Sequence, residues 1–264
     1  MLLLVMAGGV GLVTAAFRLP ALRSTADGAV RTPPSPSSPV PTGSASAGPA
    51  ATGVPSRAPL FRMPGPVPSA GSGAFDYPAG TGQLLGRAGT LHRYRVAVER
   101  GSGENVDQFA AAVDQTLGDP RSWIASGQLR MQRVARDATA DFTIYLATAQ
   151  TAWQLCMTGG VDIRVRGKPY TSCRAPGKVI INLDRWRLST DDLIAAGMTL
   201  DAYRLYVVNH EVGHQLGRGH ESCPGKGSPA PVMQQQTLYL NGCRPNSWPY
   251  VNGKRLAGPP IAGS

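Results

Sequence analysis

The stretch "NHEVGHQLGRGHESC", residues 209–223, carries three of the four histidines in the chain. It continues a run, "LDAYRLYVV" (200–208), whose apolar spacing predicts one long helix from about Leu200 to Leu216. On that helix His210 and His214 stand four residues apart, so their imidazoles project from one face, one turn above the other. Two imidazoles so placed can share one metal ion. Glu211 sits about 100° round the helix from His210 and reaches a water on the ion without ligating it, which makes it the candidate general base. Gly217 is where the helix can end in a left-handed conformation, after which Arg218 and Gly219 bring His220 back as a third ligand. Three neutral nitrogen donors with an open fourth position predict one Zn²⁺ ion and hydrolysis of a peptide or related amide. Histidines that merely fill a core or a solvated face would leave the register of Glu211 and Gly217 unexplained.

Upstream, "TLHRYRVAVE" (90–99) alternates as a strand and "VDQFAAAVDQTL" (106–117) has helical spacing. "LRMQRVAR" (129–136), "DFTIYLA" (141–147) and "VDIRVR" (161–166) read as further strands, with Phe142, Ile144 and Leu146 on one face. "KVIINL" (178–183) is a buried fifth strand. This order predicts an α+β domain in which a mixed sheet buries itself against helices packed on one side.

Three segments follow from composition. Residues 1–23 open with an uncharged apolar run to Phe17, the pattern of a signal-peptide core or of a membrane anchor; either exports the polypeptide, as a secreted or a membrane-anchored protein. Residues 24–83 are rich in Pro, Ser, Gly and Ala and poor in large apolar groups, which predicts a disordered linker. Residues 84–264 remain as the folded domain, a monomer by expectation. The net charge of +10 is spread as scattered arginines with no nucleic-acid-binding signature. It suits a solvated surface attracted to an anionic cell envelope, and nucleic acid is not an expected partner.

The four cysteines, Cys156, Cys173, Cys223 and Cys243, include no C-x-x-C pair, and in an exported chain an even set predicts disulfides. Three connectivities exist. Local pairing, Cys156–Cys173 and Cys223–Cys243, is the preferred one, each bridge contributing about 3 kcal/mol in the chain-entropy picture.

"HEVGHQLGRGH" resembles the extended zinc-binding motif HExxHxxGxxH of the metzincin metallopeptidases, and "APVM" (230–233) resembles their Met-turn. The resemblance implies a zincin-like fold: a twisted mixed sheet, a backing helix, an active-site helix, an antiparallel edge strand lining the cleft and a small C-terminal subdomain. It also implies that Met233 lies beneath the metal. Residues 203–249 further resemble a family of exported actinobacterial proteins of unknown function, and that likeness extends over about residues 84–254. Several of the better-known metzincins carry a tyrosine two residues after the methionine; here Gln235 stands there, within "QQQ" (234–236), so the transition-state donor is unassigned, with Tyr239 and Tyr250 as further candidates. A Cys223–Cys243 bridge would enclose the Met-turn, and Cys156–Cys173 would brace an edge strand at 161–166 where a peptide could add. "NSWPY", with Trp248 and Tyr250, reads as a C-terminal clasp or as a pocket wall.

The leading expectation is thus an exported zinc metallopeptidase acting on peptides or proteins. The alternative is a metzincin-like, zinc-containing binding module of the envelope without turnover. The linker holds no cysteine that could cap the metal, and His92 has no assigned role.

Overall fold

The computed structural model describes residues 58–262. The expected signal or anchor segment, 1–23, and the linker up to residue 57 lie outside the described residues. Among the described residues no helix is long and apolar enough to cross a membrane.

Two short strands, β1 (Phe75–Asp76) and β2 (Leu84–Leu85), precede the long strand β3 (Thr90–Glu99). Asn105 then caps helix α1 (Val106–Gly118), its Oδ1 accepting from the Gln108 N–H at 2.9 Å. A single 3-10 turn, Trp123–Ser126, leads into β4 (Leu129–Arg133), β5 (Phe142–Ala147) and helix α2 (Ala149–Met157). A hairpin of β6 (Arg164–Val165) and β7 (Lys168–Pro169) is followed by β8 (Cys173–Ala175) and β9 (Lys178–Asn182). Helices α3 (Leu183–Leu188), α4 (Asp191–Ala195) and α5 (Leu200–Gln215) come next, and a hairpin of β10 (Tyr250–Val251) and β11 (Lys254–Arg255) closes the order.

The main sheet is mixed, in the order β2-β4-β3-β5-β9-β8. Strands β4, β3, β5 and β9 run parallel, while β2 and β8 are antiparallel edges and β1 pairs with the last two residues of β3. One face buries Val96, Val98, Ile144, Leu146, Val179 and Ile181 against α1 and α5. The other buries Ala147, Ile180, Cys173 and Ala175 against α2. Apolar residues on both sides of β9 explain why "KVIINL" reads as a continuous hydrophobic run.

Four differences from the sequence reading have physical causes. Helices cover both faces, because α2 buries Ala152 and Cys156 on the side opposite α5. Residues 161–166 do not join the main sheet. Arg166 and Gly167 take left-handed φ of 52° and 79°, the turn that closes a two-residue hairpin, so β6 pairs with β7 alone. The sheet edge nearest the α5 C-terminus is instead β8, a strand of three residues that is too short to show alternation. Finally, residues 58–83, placed in the linker by composition, run along the domain. Leu200 donates its N–H to the Leu60 carbonyl (2.8 Å), Met63 to Arg187 (2.7 Å) and Gln150 to Ser69 (2.9 Å). This segment needs no core of its own because it borrows one: Val67 packs on the main cluster, and the buried Glu99 carboxylate accepts from Gly73 N–H and from the Thr148 and Thr151 hydroxyls. Its prolines also lower the entropy lost on docking.

Cys156–Cys173 and Cys223–Cys243 are both disulfide-bonded, with Cα separations of 6.1 and 5.8 Å. Two disulfides and, among the described residues, no free cysteine point to an oxidising, extracytoplasmic environment.

Candidate metal centre

Helix α5 begins at Thr199, whose hydroxyl accepts from the Ala202 N–H, and buries Tyr203, Tyr206, Val207, Val208 and Val212 in the core. That packing fixes which face carries the histidines. His210 and His214 bring their Nε2 atoms to 3.2 Å. The helix ends at Leu216, Gly217 takes φ +80°, and Arg218 donates its N–H back to the Gly213 carbonyl at 2.9 Å. The reversed chain brings His220 Nε2 to 3.1 Å from His214 Nε2. One ring nitrogen from each of the three histidines lies within 4.8 Å of the other two, a group that could hold a metal ion.

The hydrogen bonds behind the rings set their tautomers. His210 Nδ1 meets the Val232 carbonyl and His214 Nδ1 the Arg218 carbonyl, both at 2.8 Å. A carbonyl only accepts, so each Nδ1 carries the proton and each Nε2 of a neutral ring presents a lone pair. Burial keeps the rings neutral: it pushes His210 well below the usual imidazole range, lowers His214 with a smaller contribution from the Arg174 guanidinium, and brings His220 to about 4. Lone pairs about 3 Å apart repel unless a cation stands among them. Nitrogens bound at about 2.0 Å to a tetrahedral ion stand about 3.3 Å apart, so the His210–His214 and His214–His220 separations are those of nitrogens that could share a small divalent cation.

Glu211 is buried beside this triad, and burial pushes its carboxyl up to about 8. Glu211 and the three histidines line one cleft of ≈ 510 Å³. Thr171 to Arg174 on the β8 side, Val161 to Val165 and the pair Gln235 and Leu238 complete its walls.

Met233 is fully buried, and its side chain packs against the α5 backbone at Gly213, between the two helical histidines. The turn that carries it supplies the Val232 carbonyl to His210 and accepts, through the Met233 carbonyl, the Glu221 N–H at 3.1 Å. Tyr206 ties the same turn to the helix: its hydroxyl donates to the Gln234 carbonyl and accepts from the Gln236 N–H, both at 2.9 Å.

The three glutamines have different surroundings. Gln234 donates to the Tyr239 and Leu240 carbonyls and Gln236 to the Pro231 and Asn246 carbonyls, so both brace backbone. Only Gln235 lines the cleft, and its Oε1 accepts from the Tyr239 hydroxyl at 2.9 Å. Tyr250 does not line the cleft; it borders a separate hollow with His92 and Trp123. Trp248 packs under the Arg121 guanidinium, so "NSWPY" is a clasp.

Residues with no motif signal also position the site. Asn209, fully buried, accepts from Ser122 Oγ (2.7 Å), donates to the Ser247 carbonyl (3.1 Å), and offers its own carbonyl to Trp123 Nε1 (2.9 Å). It joins α5 to two distant segments one residue before His210. A buried polar residue inside "YVVNHEV" was the available clue. The C-terminal tail is the other: Ile261 donates its N–H to the His220 carbonyl (2.9 Å) and Ser222 to Pro259 (2.8 Å), while Arg255 pairs with Glu221 (2.9 Å).

Two expectations arise from these supports. Deleting residues 258–264 removes the strand-like partner of His220 and should weaken metal affinity by about tenfold, the usual cost of losing an outer-shell support. Competition with a chromophoric chelator measures this, and an unchanged affinity would exclude a supporting role for the tail. Replacing both Cys223 and Cys243 with serine opens the loop that holds Met233. It should lower stability by about 3 kcal/mol and speed metal loss; equal metal retention would count against the bridge as a brace of the site.

Residues 62–246 match the family described as "Protein of unknown function (DUF3152)". No curated protein and no solved structure matches the chain.

Proposed function

The chain belongs to this family of proteins of unknown function, and from its histidine site we propose that it is an exported zinc-dependent metallopeptidase of metzincin type. The observation that carries the reading is the convergence of three imidazole Nε2 atoms beside a buried carboxylate in an open cleft. Other features support the metzincin assignment. The sheet ends on the cleft side in an antiparallel strand, β8, and a buried methionine packs under the helix that bears the histidines.

In this reading His210, His214 and His220 hold one Zn²⁺ ion. Bound zinc lowers the pKa of its water to ~7, polarises a substrate carbonyl and favours the ionised form of Glu211. Glu211 accepts a proton from the attacking water and delivers it to the departing amine. The outer edge of β8 offers backbone groups to an extended peptide, which adds as a further strand. Gln235 has its amide oxygen engaged by Tyr239, which leaves its N–H groups to donate to the substrate carbonyl oxygen.

The test joins metal analysis with turnover. Purified residues 58–264 should contain one zinc per chain and cleave members of a broad peptide library, lose cleavage on chelation and regain it with added Zn²⁺. Zinc bound at full occupancy with no peptide cleaved would favour a binding module instead.

A further inference from the structure

The charges that line the cleft are unequally partnered. Asp162 is taken up by Arg164, whose Nε and Nη donate to its two oxygens at 2.9 and 2.7 Å and whose guanidinium lies over the Trp153 ring. Glu211 stands with the histidines. Arg174 and Arg218 remain, and among the described residues neither makes an ion pair with a carboxylate.

These two arginines differ in position. Arg218 reaches across Trp123 and is shared with the second hollow, away from the edge strand. Arg174 is the middle residue of β8, the edge along which a substrate strand would lie. Its neighbours Cys173 and Ala175 are buried toward α2, so the arginine projects from the opposite face, toward α5. There Nε donates to the Gln215 side-chain oxygen at 3.1 Å, one residue past His214. One end of this exposed guanidinium therefore meets a neutral acceptor beside the histidines, and among the described residues its Nη groups make no hydrogen bond and are left to donate. A guanidinium held in this way is ordered in advance for a carboxylate, to which it offers two parallel N–H groups.

We propose that Arg174 is a specificity residue that selects peptides bearing a carboxylate close to the scissile bond. The proposal rests on the peptidase reading for the word scissile, while the recognition itself is a binding property of the cleft. Nearby charges agree with it: Asp162 is neutralised by Arg164, and among the described residues the only other acid lining the cleft is Glu211, buried beside the three histidines. A lysine or arginine in the substrate would meet Arg174 without a compensating acid.

The experiment uses zinc-loaded protein and acetylated, amidated peptides that differ only by Glu or Gln, with the exchange moved through the two positions on each side of the cleaved bond. At one of these positions the Glu peptide should exceed its Gln partner in kcat/KM by about tenfold, the range of one charge-assisted hydrogen bond in a partly solvated setting. The ratio should fall to near one in Arg174→Gln and be partly kept in Arg174→Lys, with zinc content and melting temperature confirming that each variant is folded. Gln peptides with a free C-terminus form a second arm, which separates a terminal carboxylate from an acidic side chain. If no peptide is cleaved, the peptidase reading fails, and the same Glu and Gln pairs are compared by fluorescence anisotropy for binding. A Glu preference lost in Arg174→Gln supports the assignment in either readout. Equal handling of Glu and Gln by the wild type, or a preference that survives Arg174→Gln, overturns it.

Discussion

Glu211→Gln is expected to lower kcat for peptide cleavage by about 10²–10⁴ while zinc content stays at one ion per chain. The magnitude is that of a positioned general base. The separation of the two readouts comes from the site's geometry. The proposed ligand atoms belong to His210, His214 and His220; the first two rings hold the Val232 and Arg218 carbonyls at Nδ1, and the tail meets the backbone carbonyl of His220. None of these involves Glu211. Glutamine has nearly the same volume, and removing an ionisable group that burial already pushes up to about 8 adds no desolvation cost. The fold should therefore hold. Zinc analysis and single-turnover kinetics on the same preparation check the expectation. A Glu211→Gln protein that cleaves at the wild-type rate would remove the proposed base; one that loses zinc would show that the carboxylate is part of the metal's support.

Gly213→Ala is expected to destabilise the domain by roughly 2 kcal/mol and to weaken zinc binding at the same time. At an unhindered helix position this change would be favourable by about 1 kcal/mol. Here the sign is reversed by packing. A Cβ at residue 213 would fall inside van der Waals contact of Met233 Sδ and at 2.7 Å from Trp123 Cζ2. Neither neighbour is free to move aside: Met233 is fully buried, and the indole is tethered by its Nε1 hydrogen bond to the Asn209 carbonyl. Overpacking of this kind costs about 1–3 kcal/mol beyond the lost helix gain. The strain would push on the turn that holds the Val232 carbonyl against His210, which links the stability loss to the metal. Thermal unfolding should show a fall of roughly 4–8 °C for a domain of this size. Adding Met233→Ala opens space for the new methyl group, so the double variant should lose less than the sum of the two single ones. Strict additivity would mean that Gly213 and Met233 do not act on each other.

Close steric demand at Gly213 was not visible in the motif, where the position is one of two unspecified residues between the histidines. The same holds for Asn209, whose three partners come from residues 122, 123 and 247. Strand β8 leaves no signal in the sequence for a different reason. Three residues cannot display a period of two, whereas the exposed hairpin strand at 164–165 mimicked one inside "VDIRVR". Composition does not record the order of segment 58–83: a chain poor in apolar groups can still be ordered when its N–H and carbonyl groups are met by a neighbouring surface.

The sequence alone determined what depends on neighbours within a few turns of helix. The spacing of His210, Glu211 and His214 and the glycine exit at 217 follow from a 3.6-residue period and from the one residue type that takes a left-handed φ freely. It also marked the buried strand β9 and the cysteines whose pairs the structure joins. Tertiary structure alone decided which strand forms the cleft edge, that Met233 packs on Gly213, that the tail holds His220 and that Arg174 stands beside the histidine triad. Those relations join residues separated by tens of positions. They arise from which apolar faces pack together and where the chain can close, and no local period records that outcome.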